Sequence, residues 1–306
     1  MKRNIIIALF ALICSSVAVA QSNVQIYGTL EQTMEFTTKN QNGAKSTNMD
    51  SGDSKIGFRV TEDLASGLKA FAGVEFDVKA EGNSTVGNDG QAFVGLSSTS
   101  LGSIKAGQFK SFTSDAAYST IKKFEGRGPT AVKDVKLNNT VSYLSPSYYG
   151  FSAGVSTTTN GQNGTAADRQ YLDGNEYALN YNNGGFNAAL AYLKTRTANG
   201  TPETANTFLG ASYAFDAFDV NGAYEHDDTG VAAKNIWTVG GGWKVTGSNT
   251  LRAAYSTKVD NYNTYTLEGV HSFSKRTAVY ANWQAQNGKN TTPDVNVLGM
   301  GIRHNF

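Results

Sequence analysis

Apolar and polar residues alternate along most of this chain, and that alternation limits what it can fold into. Near the start of the pattern, Val24, Ile26 and Leu30 lie on one side, and Gln25 and Glu31 lie on the other. A period of two residues is the pattern of a β-strand with one apolar and one wetted face. The same alternation recurs up to the last residues of the chain. The sequence therefore predicts an all-β fold built from amphipathic strands.

The connections between these strands are of two kinds. Short turns are expected at residues 62–67, 98–102, 145–147, 182–185, 216–217, 246–249 and 274–276. Longer polar connections are expected at residues 37–54, 80–90, 157–175, 195–205, 226–233, 257–262 and 284–293. Short turns at one end and long loops at the other are the layout of a bacterial outer-membrane barrel. The pattern predicts a transmembrane antiparallel β-barrel of about 16 strands, since such barrels have an even number.

The two strand faces differ in chemistry. One carries apolar residues with aromatic residues near the strand ends, such as Tyr177, Leu179 and Trp237, which is typical of a lipid-facing belt. The other carries charged and polar residues, such as Glu176 and Arg252, which must meet water. A soluble β-sandwich is the alternative, but it spans only about 100 residues, whereas this pattern runs on without a linker. The mean hydropathy of −0.35 is ordinary because a barrel hides polar residues in its lumen.

The first 20 residues have the three parts of a secretory signal peptide. Lys2 and Arg3 precede a short apolar run, and Ala18-Val19-Ala20 ends it. The run is shorter than the roughly 20 residues that a membrane anchor needs. We expect a signal peptide over residues 1–20 and one barrel domain over residues 21–306. Cleavage would remove the single cysteine, Cys14, and leave 24 basic against 25 acidic residues, which argues against a nucleic-acid partner.

Several segments, taken in order, give the chain a family resemblance. They are Gln25–Thr29, Ser54–Phe58, Thr61–Leu64, Gly67–Ala70, Ala92–Leu96, Asn138–Val141, Ser274–Thr277 and Gly301–Phe306. Together they resemble the trimeric general porins of neisserial and β-proteobacterial type. The resemblance implies a sixteen-stranded barrel in the cell outer membrane, a homotrimer, and passive diffusion of ions and small hydrophilic solutes. It also implies contact with outer-membrane lipids and lipopolysaccharide, and recognition of Phe306 by the outer-membrane assembly machinery.

The subunit contacts of such a trimer are expected on the outward faces of the first strands and the last. Gly28, Ala70 and Ala72 are small outward residues that permit close packing. The connection at residues 80–90 is expected to reach a neighbouring subunit.

The stretch from Gln108 to Leu137 interrupts the strand pattern. A connection of this length is uncommon unless it has a function, and the family resemblance implies that it folds into the lumen and narrows it. An external loop is the alternative. The expected pore constriction places Asp115 and Glu125 of this stretch opposite Lys55, Arg59 and Lys105, which have lumenal parity. The resemblance would also favour arginine where this chain has Lys55, Gln108 and Ser142, which weakens the case for strong anion preference.

Catalytic and metal-binding patterns are not found in the sequence. The three histidines, His226, His271 and His304, have no serine partner in any motif and no spacing typical of metal ligands. We therefore expect no enzyme activity, no cofactor and no metal. A substrate-specific channel for a sugar or an organic acid is the alternative function, but the inward aromatic residues are scattered. They are Tyr27, Phe71, Phe93, Phe208 and Tyr280.

Overall fold

The computed structural model describes residues 22–39, 44–64, 66–81, 86–87, 90–121, 124–129, 135–159, 172, 174–195, 204–228, 233–290 and 292–306. The expected signal peptide lies outside these residues. The strands are β1 (Ser22–Lys39), β2 (Ser46–Asp50), β3 (Lys55–Asp63), β4 (Leu68–Val78), β5 (Val86–Gly87), β6 (Ala92–Ser98), β7 (Gly102–Lys110), β8 (Lys136–Leu144), β9 (Phe151–Thr158), β10 (Gly174–Asn183), β11 (Phe186–Thr195), β12 (Thr204–Phe215), β13 (Phe218–Asp228), β14 (Ala233–Lys244), β15 (Asn249–Lys258), β16 (Tyr262–Ser272), β17 (Thr277–Gly288) and β18 (Val295–Asn305). A helix, α1 (Phe112–Thr120), lies between β7 and β8.

The strands form one closed antiparallel barrel. Each strand pairs with its neighbours around the ring, and β18 pairs with β1, with Arg303 opposite Glu31. The backbone groups of Gly28 and Phe306 exchange two hydrogen bonds, at 3.0 and 3.1 Å, where the chain ends meet. A closed barrel leaves no exposed sheet edge, as a membrane requires.

The 18 strand segments make 16 barrel strands because two strands are interrupted. Both β2 and β3 pair with β1, and both β5 and β6 pair with β4, so each couple is one strand with a break. The prediction of a sixteen-stranded antiparallel barrel is confirmed.

The two faces lie as the alternation predicted. Outward residues such as Val24, Ile26 and Leu30 are exposed on the outer wall, whereas Glu31 and Glu35 are buried on the inner side. At the short-turn end, Phe215, Phe218 and Trp243 stack in a row, with ring centroids 5.8 and 6.0 Å apart. Such rings suit the boundary between hydrocarbon and water. Among the described residues, no helix is long and apolar enough to cross a membrane.

Several expected long connections are partly strand. β1 continues to Lys39 and β2 begins at Ser46, so most of the described part of the 37–54 connection is β-structure. β13 likewise reaches Asp228, and β17 reaches Gly288. The alternation fades there because strand ends beyond the apolar belt have water on both faces, so hydropathy no longer marks the strand. Hydrogen bonding between neighbouring strands continues even where the alternation of apolar and polar residues is lost.

Candidate channel constriction

The segment after β7 enters the barrel and packs on the inner wall. Helix α1 contacts β10, β11 and β12. Its Ala116 and Ala117 lie in a buried cluster with the inward residues Ala178, Ala191 and Phe208, the last fully covered. Small side chains on both surfaces let the helix backbone approach the sheet closely. The expectation that this long segment folds into the lumen is therefore confirmed.

A capping residue in the local sequence and a carboxylate on the barrel wall stabilise the N-terminus of the helix. The Ser111 side chain caps the helix by accepting a hydrogen bond from the Ser114 N–H at 3.1 Å. The Glu176 carboxylate accepts hydrogen bonds from the N–H groups of Phe112 and Thr113, at 2.9 and 2.7 Å, and from the Thr113 hydroxyl at 2.9 Å. Negative charge at a helix N-terminus is favourable because the free N–H groups carry partial positive charge. Glu176 thus anchors the start of the segment.

A second wall carboxylate anchors the segment on another part of the barrel. Glu268 of β16 accepts hydrogen bonds from the N–H groups of Glu125 and Gly126, the nearer contacts being 3.0 and 2.8 Å. Arg252 of β15 donates to Glu268 at 2.8 Å. The segment therefore passes from the β10–β12 wall to the β15–β16 wall.

A third attachment joins the segment to β1 and β17. Arg127 donates two hydrogen bonds to the two oxygens of Glu35, at 2.5 and 2.7 Å, and Gln284 donates to the Gly128 carbonyl at 2.7 Å. The hydrogen bond with Glu35 raises the pKa of the Arg127 guanidinium above its ordinary value, although burial opposes this. Paired, charge-assisted hydrogen bonds fix orientation as well as distance.

The predicted basic wall residues each have a close partner. Lys55 forms an ion pair with Glu75 at 3.4 Å. Arg59 lies over the Tyr27 ring, 4.9 Å from its centre. Both residues are on β3, on the wall that α1 does not cover.

Lys105 and Asp115 are brought together. The Lys105 ammonium lies over the rings of Phe109 and Phe93, 3.9 and 5.2 Å from their centres, and the carboxylates of Asp115 and Glu176 act on it electrostatically. Asp115 is exposed in the first turn of α1.

Glu125 has different partners from those expected. Its carboxylate pairs with Arg303 and, at 3.4 Å, with Arg252. Arg303 also forms an ion pair with Glu31 at 2.9 Å. Sequence reasoning did not place these arginines at the constriction, although Arg252 was assigned to the wetted face and Arg303 alternates with the outward residues Met300 and Ile302.

Open space remains beside the wall of β1 to β4. One cavity of about 380 Å³ is lined by Glu31, Glu35 and the segment residues from Phe124 to Pro129. A second, of about 350 Å³, is lined by residues that include Lys55, Glu75 and Lys136. Both cavities reach Asp50 and Asp53 at the break between β2 and β3. The lumen at this level is therefore narrow, wet and lined by charges of both signs.

The described residues do not assemble a metal centre. No group of three or more His, Cys, Asp or Glu side chains in this part of the chain could hold a metal ion. Each histidine ring bonds to an amide or hydroxyl oxygen: His226 to Asn235, His271 to Asn249, and His304 to Thr277.

Comparison with known proteins agrees with this architecture. The model of the Gram-negative porin family matches residues 7–291. The chain is 29% identical to outer membrane porin protein 32 of Delftia acidovorans, covering 98% of this chain and 92% of that one. It is 28% identical to the major outer membrane protein P.IB of Neisseria lactamica, covering 98% and 99%.

Solved structures share the fold. An anion-selective porin from Comamonas acidovorans superposes with a TM-score of 0.81 at 24% identity, covering 94% of this chain and 100% of that one. The trimer form of in-vitro folded OmpT from Vibrio cholerae gives a TM-score of 0.70 at 16% identity, covering 93% and 99%. With its closed sixteen-stranded wall and anchored inner segment, the chain belongs to the Gram-negative porin family and forms a channel in the outer membrane.

Proposed function

We propose that this porin is a general diffusion channel for ions and small hydrophilic solutes, and not an enzyme. The observation that carries the proposal is the inserted segment, which crosses a lumen of a size that otherwise stays open and leaves a charged gap beside the β1–β4 wall. Passive diffusion requires such a wet passage and no tight binding site.

The inward aromatic residues favour general diffusion over a substrate-specific channel. Phe208 lies beneath α1, and Tyr280 is buried and bonded to Glu31 and Thr33. Phe71 and Phe93 form one edge-to-face pair, 6.1 Å between ring centres. These residues do not make a continuous track along which sugar rings could slide.

Liposome swelling with sugars of increasing size tests this proposal. We expect the swelling rate to fall smoothly with sugar size, because a wet gap discriminates by diameter and not by recognition. One sugar entering far faster than smaller sugars would instead support a substrate-specific channel. Liposomes that contain the heat-unfolded protein serve as the control.

The proposed constriction comprises Lys55, Arg59, Lys105, Asp115 and Glu125, and we add Arg252 and Arg303, which pair with Glu125. Carboxylates on the inserted segment and bases on the wall create a transverse field that orders ions and water in the gap. Lumenal charges of this kind tune selectivity more than they stabilise the barrel.

Charge removal on the two sides should therefore move ion selectivity in opposite directions. In a KCl gradient, we expect Lys55→Gln with Lys105→Gln to shift the reversal potential toward cation preference, and Asp115→Asn with Glu125→Gln to shift it toward anion preference. The effect should be largest at low salt, where screening is weakest. Lys289→Gln, an exposed substitution beside the long connection after β17, is the control. Unchanged reversal potentials in both double variants would exclude these residues from the constriction.

We further propose that the protein is a homotrimer, since one of its structural relatives is described in a trimer form. The proposed contacts are the outward faces of β1, β3, β4 and β18, together with the connection at residues 80–90, which lies partly outside the described residues. Light scattering in mild detergent tests this, and a monomer alone would contradict it. Contacts with lipopolysaccharide and with the assembly machinery through Phe306 are part of the same proposal.

We propose that residues 1–20 are a signal peptide and that residues 21–306 form the mature barrel domain. The basic start, short apolar run and Ala18-Val19-Ala20 ending support this. N-terminal sequencing of protein from outer membranes should begin at Gln21, and a start at Met1 would contradict the proposal.

A further inference from the structure

The outer wall from β14 through β18 to β1 carries two adjoining apolar grooves, the second of which reaches Met34 of β1 and Met300 of β18. They have volumes of about 1050 and 810 Å³. Both are lined by Leu251, Gly269 and Ala281, so they meet at these residues. Gly269, which has no side chain, and the small Ala281 leave a depression between larger neighbours such as Trp283 and Met300. A concave apolar depression of this size is comparable to the sites that ligands occupy.

The second groove runs toward the short-turn end of the barrel. His271 and Val279, which are paired across β16 and β17, line it there. The turn that joins these strands exposes Lys275 and Arg276. Residues 270–278 contain no acidic residue, and neither do residues 243–251 on the neighbouring hairpin. The apolar groove therefore ends beside a basic turn.

We propose that these grooves bind an anionic membrane phospholipid. An acyl chain lies along Leu251, Gly269 and Ala281, and the phosphate lies near Lys275 and Arg276. The wall faces hydrocarbon because the protein sits in the outer membrane, and basic residues at a membrane surface attract anionic headgroups.

The junction of the grooves lies on β15 to β17, outside the strands proposed as subunit contacts, and the wall of a second protein copy fits it less well. A barrel wall is convex and rigid, so it would span a groove without filling it, whereas a flexible acyl chain can follow the depression. The basic side chains of the turn attract an anionic group such as a phosphate, and an apolar barrel wall has no such group.

Native mass spectrometry tests the proposal on the full protein in mild detergent with added dioleoyl phosphatidylglycerol. We expect the wild-type protein to retain this lipid and Ala281→Leu to lose most of it, because the larger side chain fills the junction of the grooves. Lys275→Gln with Arg276→Gln should bind it about thirtyfold more weakly, since each of the two bases near an anionic surface contributes on the order of 1 kcal/mol.

The matched controls are Ala153→Leu, an exposed outward alanine on β9, and Lys289→Gln at the opposite end of β17. Both should retain the lipid. Equal lipid binding by Ala281→Leu and the wild-type protein would overturn the proposal, and so would equal loss in Ala153→Leu. If Ala281→Leu instead converts an oligomer into monomers without loss of lipid, the grooves are an interface between copies and the proposal is wrong.

Discussion

Replacing both Glu176 and Glu268 by alanine should release the inserted segment and raise the single-channel conductance well above that of the wild-type protein. Each carboxylate accepts at least two backbone hydrogen bonds from the segment. A hydrogen bond to a charged group contributes about 1.5–3 kcal/mol, so each substitution should shift the equilibrium between anchored and released segment by about tenfold or more.

The size limit for sugars should rise together with the conductance, because the segment is what narrows the lumen. Planar-bilayer recording measures the first quantity and liposome swelling the second. Each single variant should have an intermediate effect, since the remaining carboxylate still accepts its backbone hydrogen bonds from the segment. Asn221→Ala, an inward polar residue of β13, is the control and should leave both quantities unchanged. Wild-type conductance and size limit in the double variant would show that these carboxylates do not hold the constriction.

Replacing Gly28 by alanine should destabilise the barrel where its ends meet. A Cβ atom at this position would lie 2.5 Å from the Lys55 carbonyl oxygen and 2.4 Å from the Phe306 ring. The backbone cannot yield without disturbing the hydrogen bonds between Gly28 and Phe306. Overpacking of this kind costs about 1–3 kcal/mol, and the loss should be visible as a lower urea midpoint and as less folded protein in outer membranes.

Gly269→Ala is the matched control for this substitution. A Cβ atom there would meet only the Leu251 side chain, at an ordinary contact distance of 3.6 Å. We therefore expect wild-type stability for Gly269→Ala. Equal urea midpoints for the two alanine variants would contradict the role assigned to the contact between Gly28 and Phe306.

The helix in the inserted segment could not be predicted from the sequence pattern. The interruption between β7 and β8 was visible, but helix α1 was not, because nine residues are too few to form a stable helix alone. The helix depends on Glu176, more than 60 residues away in sequence, and on small inward residues such as Ala178 and Ala191. Those small residues on the wetted face were the signal that a segment packs there.

The ion-pair partners of Glu125 could not be predicted from the sequence for a similar reason. Arg252 and Arg303 lie 127 and 178 positions further along the chain. Inward parity identifies both as lumenal, but parity cannot say which lumenal groups face each other across the barrel. That depends on the register of many strands and on the path of the inserted segment.

The sequence alone determined the strands, their inward and outward faces, the short turns and the approximate strand number, because alternation is a local property of an amphipathic strand at a boundary between lipid and water. Only the tertiary structure decided the closure at Gly28 and Phe306, the merging of 18 segments into 16 strands, and the anchoring of the segment by Glu176 and Glu268. These features join residues distant in sequence, and their geometry is fixed only when the whole ring of hydrogen bonds has closed.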